Sequence, residues 1–315
     1  MMTVDEVMHR RRRNRRNRSG KKQEKHGKQG GKRSVVTPIL LVILLVGVAI
    51  VVYPTFSNWW NSRVQTRLVQ SYNEAVASLT ETDYSAYFEA AYAYNERVDK
   101  IGSETAISNP GLIEGYDELL NVSGTGVMGY ITIEKINVEL PIYHGTSASV
   151  LQVGAGHLEG TSLPVGGEST HCVISAHRGL PSATLFTHLD QMEVGDTFTI
   201  TVLNEVLTYE VDQISIVYPT ELENIYIEDG QDYCTLMTCT PYGINTQRLL
   251  VRGHRVETTT AKNAIKVTAE AYKIDTNLVA LGVGIPLVIF LFVIVSLPRR
   301  KKHYTKEDLD RMNKK

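Results

Sequence analysis

A cysteine at the end of an apolar run is the most reactive group in the sequence. Cys239 closes the run 235–239, and Pro241-Tyr242-Gly243 follows it, which is typical of a β-strand that ends in a turn. The pattern predicts a thiol on the rim of a β structure. A free thiol has a pKa of about 8.5, so it needs a base or a positive field to react as a thiolate. The alternative is a buried structural cysteine, the commoner fate of this residue type.

A histidine in a similar position is the candidate base. His177 directly follows the apolar run 171–175, and a glycine comes two residues after it. It is the only histidine between the two long apolar runs of the chain that combines a strand end with a glycine turn. We interpret the other five as surface or hydrogen-bonded core residues: His144, His157, His171, His188 and His254.

An arginine completes the set. Arg248 begins an apolar run nine residues after Cys239, and a hairpin of that length returns it beside the thiol. Acyl transfer through a thiol builds negative charge on the carbonyl oxygen, which suits a permanently charged, planar donor. The alternative is that Arg248 caps a strand or pairs with an acid. Arg252, on the same strand face, is the next candidate.

The cysteine count leaves at least one thiol unpaired. The three cysteines are Cys172, Cys234 and Cys239, and at most two of them can form a disulfide. No Cys-x-x-Cys motif or Cys/His cluster with zinc spacing is present. We therefore expect no metal and no cofactor.

The elements that position these residues are short β runs between turns, which begin at Val127 and indicate a barrel or a sandwich. Before them, residues 57–100 show the three- and four-residue apolar spacing of helices, and 101–126 is rich in turn residues. The β runs that the pattern identifies are 129–133, 171–175, 197–202, 209–217, 233–238 and 249–251.

Two apolar runs flank this region. Residues 35–56 and 278–297 are each long enough to cross a bilayer, and neither run contains a charged residue. The net charge is +10 over residues 1–33 and +5 over 298–315, against −16 between them. Basic flanks stay in the cytoplasm, so we predict two spans, cytoplasmic termini and an extracellular middle.

The basic N-terminal run could instead bind nucleic acid, but a basic flank beside a membrane helix is explained by topology, so we expect no nucleic-acid partner. The first run has no small-x-small cleavage site, which favours an anchor over a signal peptide. The predicted order is a basic tail (1–34), a transmembrane helix (35–56), a helical segment (57–100), a lid or loop region (101–126), a catalytic β-barrel (127–257), a linker (258–277), a transmembrane helix (278–297) and a basic tail (298–315).

Together these features resemble the sortase family. Thr-Leu-Met-Thr-Cys at 235–239 matches the family's strand-end Thr-Leu-x-Thr-Cys, with a histidine upstream and an arginine downstream. The resemblance covers about residues 105–256. Within the family, the sequence is most similar to the class C, pilin-polymerising subgroup, whose members also have two membrane helices. The further matching runs are 126–131, 140–145, 163–167, 174–181 and 239–255.

The resemblance implies a mainly β fold with an eight-stranded barrel. It also implies a transpeptidase in which Cys239 cleaves an LPxTG-like sorting signal and His177 moves the proton. Arg248 would hold the oxyanion, and a pilin lysine would accept the acyl group. If the strands of Cys172 and Cys234 are parallel neighbours, their equal five-residue offsets from His177 and Cys239 make these two thiols neighbours. We expect both to be buried and free.

One departure concerns the lid of the subgroup, which carries an Asp-Pro-aromatic motif. In this sequence the region offers Asn109, Pro110 and Gly111, which supply neither a carboxylate for the arginine nor a ring for the thiol. We therefore predict a weak gate.

Two other functions are compatible with parts of the sequence. A hydrolytic cysteine peptidase shares the thiol and the histidine, and an added amine distinguishes it because only a transpeptidase makes the amide. A wall-anchored surface protein would explain the second apolar run with its basic tail. That protein needs a sorting signal before the run, and residues 258–277 contain no proline.

Overall fold

The computed structural model of the protein describes residues 36–258, beginning with a long helix, α1 (Val36–Ala77). Its first part is apolar and exposed, and Pro38–Ala77 is long and apolar enough to cross a membrane by length and composition. The predicted span 35–56 therefore lies almost wholly within a helix. The second predicted span, 278–297, lies outside the described residues.

A second helix, α2 (Glu81–Ile101), begins at a capping box. The Thr80 hydroxyl accepts from the Asp83 amide, and the Asp83 carboxylate accepts from the Thr80 amide at 2.8 Å. This exchange satisfies donors that the first helical turn leaves open. The helix ends at Gly102, whose φ of 87° suits only glycine without strain.

Both helices are attached to the β domain by buried hydrogen bonds. Tyr72 of α1 donates to the Met128 carbonyl at 3.0 Å and accepts from the Leu203 amide at 2.8 Å. Burial raises the pKa of Tyr72 to about 12, so its proton is retained at neutral pH. Asn95 of α2 accepts from the Leu163 amide at 2.7 Å.

Eight strands form a closed barrel, as predicted, in the order β1-β2-β3-β4-β7-β8-β6-β5. The pairs β2–β3 and β4–β7 are parallel, and the other neighbours are antiparallel. The strands are β1 (Val127–Ile133), β2 (Val138–His144), β3 (Ala155–His157), β4 (Thr170–Ser175), β5 (Thr197–Val202), β6 (Glu205–Val217), β7 (Asp232–Thr240) and β8 (Gln247–Val256).

Some elements lie outside the runs identified from the sequence. Strand β3 contains only Ala, Gly and His, so it lacks the β-branched residues that mark a strand. Its Gly156 is required by packing, because a Cβ there would collide with the Gly145 carbonyl. Within the predicted loop 101–126, a short helix α3 (Ser103–Ser108) follows Gly102 and buries Ala106.

The parallel pairing of β4 with β7 places Cys172 beside Cys234 as register partners. Both thiols are free and buried, which confirms the expected neighbours. Burial raises the pKa of the Cys234 thiol well above its usual value. These two cysteines therefore belong to the barrel core and behave as small apolar residues.

Candidate active site

Three consecutive strands of the barrel, β4, β7 and β8, bring the predicted residues to one end. In the parallel β4–β7 pair, Ser175 is opposite Met237, and the Ala176 amide donates to the Met237 carbonyl at 3.1 Å. Continuing this register by two residues aligns His177 with Cys239. The strand pairing itself ends at Ser175, so His177 lies just beyond the end of β4, toward the same end of the barrel as Cys239.

On the other side of the thiol, β7 and β8 are antiparallel. Cys239 and Arg248 are register partners, so their side chains leave the sheet on the same face. The hairpin therefore returns the arginine beside the thiol, as its nine-residue spacing predicted. The thiol lies on the middle strand, with the histidine strand on one side and the arginine strand on the other.

Alternating burial along β7 shows which face carries the chemistry. Met237 and Cys239 are half-buried, whereas Leu236 and Thr238 point into the core. The Thr238 hydroxyl donates to the Ala176 carbonyl at 2.8 Å and so ties β7 to the residue before His177. Cys239 is thus held at the barrel rim with its side chain on the outer surface.

The two arginines of β8 differ in their partners. Arg248 donates only to backbone carbonyls, those of Asn245 at 3.3 Å and Gln247 at 3.1 Å, and no carboxylate within residues 36–258 pairs with it. Arg252 makes a two-point bond to Asp212 at 3.0 and 3.1 Å and also pairs with Glu228. It lies four residues further along the strand, about 13 Å away. Arg248 is the arginine available to a ligand.

His171, by contrast, is a buried histidine whose two ring nitrogens both make hydrogen bonds within the core. His171 Nδ1 donates to the Tyr226 carbonyl at 2.8 Å, which leaves Nε2 to accept from the Thr235 hydroxyl at 2.7 Å. Burial lowers the pKa of His171 to about 4, so it is neutral at pH 7. Among residues 36–258, no group of His, Cys, Asp or Glu side chains is arranged to hold a metal ion.

The loops that follow the histidine and the cysteine contact each other, which was not predicted from the sequence. The Arg178 guanidinium pairs with Asp190, donates to the Thr240 hydroxyl at 3.3 Å and lies 5.9 Å from the Tyr242 ring centre. A Cβ on Gly179, whose φ is +76°, would come within 2.7 Å of that ring. The sequence contained a signal for this packing, since a glycine stands two residues after the histidine and an aromatic residue three residues after the cysteine.

An apolar floor leads to the thiol along the outer face of the same strands. Val173, Leu250 and Met237 form it, one from each strand, together with Val217. The connection between β6 and β7 covers this floor with Leu222 and Ile225, and Ile107 of α3 also packs there.

The structure does not bring the candidate lid residues to the thiol. Asn109 donates to the Thr105 carbonyl at 2.7 Å, and the Gly111 amide donates to Glu159 at 2.6 Å. Glu159 follows β3, which runs antiparallel to β4, so it lies toward the start of β4 rather than the end that leads to His177.

The region that carries the candidate site is similar to known proteins. A sortase-domain family model matches residues 131–256. Sortase D from Bacillus subtilis is 32% identical over 131 residues, which are 41% of this chain and 63% of that protein, so the chain spans less than two thirds of the relative's length.

Two solved structures extend the match. The crystal structure of sortase C1 from Streptococcus agalactiae is 49% identical, with a TM-score of 0.57, covering 60% of this chain and 98% of that chain. Sortase C from Streptococcus pneumoniae is 43% identical, with a TM-score of 0.52, covering 60% of this chain and 96% of that chain, and that structure is described as informative on pilin substrate specificity.

Proposed function

Because this chain belongs to the sortase family, we propose that it is a class C cysteine transpeptidase that joins pilin or surface proteins through an LPxTG-like sorting signal. The observation that carries the proposal is the placement of Cys239 between the strand leading to His177 and the strand of Arg248. A nucleophile, a proton carrier and a cationic donor on three adjacent strands are the groups that thiol-based acyl transfer needs.

In the first half of the reaction, Cys239 Sγ attacks the carbonyl carbon between threonine and glycine. The carbon–nitrogen bond breaks, the proton that Cys239 and His177 share passes from His177 to the departing amine, and a thioester remains on Cys239. In the second half, the amine of a pilin lysine attacks the thioester while His177 takes its proton. An amide forms and the thiol is restored.

Arg248 stabilises the negative charge that builds on the carbonyl oxygen in both halves. Its guanidinium has no carboxylate partner among residues 36–258, so its charge is not neutralised before substrate binds. Met237, half-buried two residues before Cys239 on the same face, offers apolar surface to the leucine and proline that precede the scissile bond.

The proposal includes the membrane arrangement. The helix Pro38–Ala77 supports a first span, and the apolar run 278–297 supplies the second. Both termini are then cytoplasmic, and the catalytic barrel of residues 127–257 is extracellular. The enzyme meets its pilin partners at the outer surface of the cell membrane, where the exported proteins present their sorting signals.

The test uses the full chain in detergent micelles with an LPETG-type peptide. Mass spectrometry should find an acyl adduct on Cys239, and an added lysine-bearing peptide should convert it to an amide. The His177→Ala and Cys239→Ala variants should form no product. Release of the free acid alone, even with amine in excess, would favour a hydrolytic cysteine peptidase and reject the transpeptidase.

A further inference from the structure

The loop after His177 is held at its tip by the helix that precedes the barrel. Asn58 Oδ1 on α1 accepts from both the amide and the hydroxyl of Thr184, each at 2.8 Å. One helical turn further on, Asn61 Nδ2 donates to the Ser182 carbonyl at 2.8 Å. Three hydrogen bonds therefore join α1 to residues 182–184.

From the tip, further hydrogen bonds lead back to the histidine. The Thr187 amide donates to the Thr184 carbonyl at 2.8 Å, and the Thr187 hydroxyl accepts from the Gly179 amide at 3.0 Å. The Phe186 amide donates to the His177 carbonyl at 3.1 Å. The Phe186–His177 bond therefore closes the loop at its base. The two bonds of Thr187 connect Thr184 to Gly179, two residues after His177, so a shift of Thr184 would displace the backbone next to the histidine.

The loop's backbone needs this support. Leu185 has a φ of 43°, in the left-handed region that a branched side chain adopts only under strain, and its side chain is buried. A cavity of about 990 Å³ separates α1 from the loop, and Tyr242 also lines it. Asn58 lies on the wall of this cavity, where its side chain bridges α1 and the loop.

We propose that Asn58 and Asn61 are positioning residues for the transpeptidation reaction, acting through the 178–187 loop to set the orientation of His177. The inference rests on the proposed function, since it requires His177 to transfer the proton. Asn58 and Asn61 follow directly in sequence after the proposed membrane span 35–56. The barrel alone then lacks one support of its proton carrier.

The experiment compares variants of the full chain in detergent micelles. Asn58→Ala removes the acceptor of two bonds, whereas Asn58→Asp keeps an oxygen in the same place. The matched control is Gln65→Ala, because Gln65 lies on the same helix and donates to the Val153 carbonyl at 3.0 Å, outside this loop. A second variant, Thr184→Val, removes only the hydroxyl and keeps the amide.

Peptide cleavage is measured as kcat, KM and the pH profile of kcat/KM, per mole of enzyme that titrates with a thiol reagent. Asn58→Ala should lower kcat by about tenfold or more while KM stays nearly constant, because misplacing a proton carrier affects chemistry rather than binding. The pH limb that reports His177 should also shift, and Asn58→Asp should restore most of the rate. A purely structural role would lower the amount of active enzyme and leave the pH profile unchanged.

Several outcomes reject the inference. They are an Asn58→Ala rate within about twofold of wild type, or an equal loss in Gln65→Ala. If Asn58→Ala does not fold, the Thr184→Val rate and pH profile decide by the same criteria. A wild-type chain that forms no acyl adduct overturns the proposed function and this inference together. An active wild type with an inactive Cys239→Ala and an unaffected Asn58→Ala rejects the positioning role alone.

Discussion

Cys239 and Arg248 are opposite each other in the antiparallel register of β7 and β8. The two side chains leave the barrel on the same face, and the arginine has no carboxylate partner within residues 36–258. A guanidinium whose charge is not neutralised raises the local potential beside the thiol, which favours the oxyanion that forms there.

We therefore expect Arg248→Ala to lower kcat by about 10²–10³-fold, the usual cost of removing an oxyanion donor. Arg248→Lys should remain impaired, because lysine keeps the charge but loses the planar fork. The matched control is Arg252→Ala on the same strand, which should affect stability more than rate, since Arg252 is committed to Asp212 and Glu228. Full activity in Arg248→Ala with loss in Arg252→Ala would show that the wrong arginine has been assigned.

Gly179 should tolerate no side chain. Its φ of +76° strains any L-residue, and a Cβ would lie 2.7 Å from the Tyr242 ring, so Gly179→Ala should cost about 1–3 kcal/mol in unfolding free energy. Gly195 is a matched control, because its φ is +93° but a Cβ there has nothing within 4 Å.

Chemical denaturation of Gly179→Ala and Gly195→Ala gives the free energy of unfolding of each variant. The difference between their losses separates the collision with Tyr242 from the backbone strain of a positive φ. Tyr242→Ala in the Gly179→Ala background should recover part of the loss, since it removes the ring. Equal destabilisation of Gly179→Ala and Gly195→Ala would mean that packing against Tyr242 contributes nothing.

The three thiols should differ sharply in reactivity. Cys172 and Cys234 are buried and free, whereas Cys239 is half-exposed. Mass spectrometry of the native chain after brief alkylation should show one adduct, and the unfolded chain should show three. The native Cys239→Ala variant should show none. Rapid labelling of all three thiols, or a disulfide in a non-reducing peptide map, would contradict the buried free pair.

His171 should make the fold sensitive to acid. Its folded-state pKa of about 4 lies below the ordinary histidine pKa of 6.5, so the stabilisation of the fold by neutral His171 is complete above pH 6.5 and is lost as the pH falls toward 4. Protonation of Nε2 also removes the acceptor of the Thr235 hydroxyl. The total effect is about 3 kcal/mol.

Urea unfolding between pH 4 and 8 measures this dependence. The His171→Gln variant should be less stable at neutral pH and should lose less on acidification than the wild type. His188→Gln, at an exposed position, should leave the profile unchanged. A wild-type profile that is flat between pH 6.5 and 4 would mean that His171 titrates equally in the folded and unfolded chain.

The positions of Cys239, His177 and Arg248 were predictable because strand ends and hairpin lengths are local properties of the sequence. The Cys172–Cys234 contact followed from equal offsets once the strands were taken as parallel neighbours. The contacts of Asn58 with Thr184 were not predictable, since they join residues 126 positions apart. A polar residue on a helix carries no sequence signal that specifies such a partner.

The candidate lid residues should have little influence on access to the thiol. Gly111 is hydrogen-bonded to Glu159, toward the start of β4, while Ile107 packs on the floor that includes Met237, two residues before Cys239. The double variant Asn109→Ala/Pro110→Ala should therefore change the rate of Cys239 alkylation by less than about twofold, because neither side chain is held against the thiol. The matched control is Ile107→Ala, which uncovers the floor and should increase the rate. A many-fold acceleration in the double variant, with no change in Ile107→Ala, would show that residues 109–111 close the site in solution.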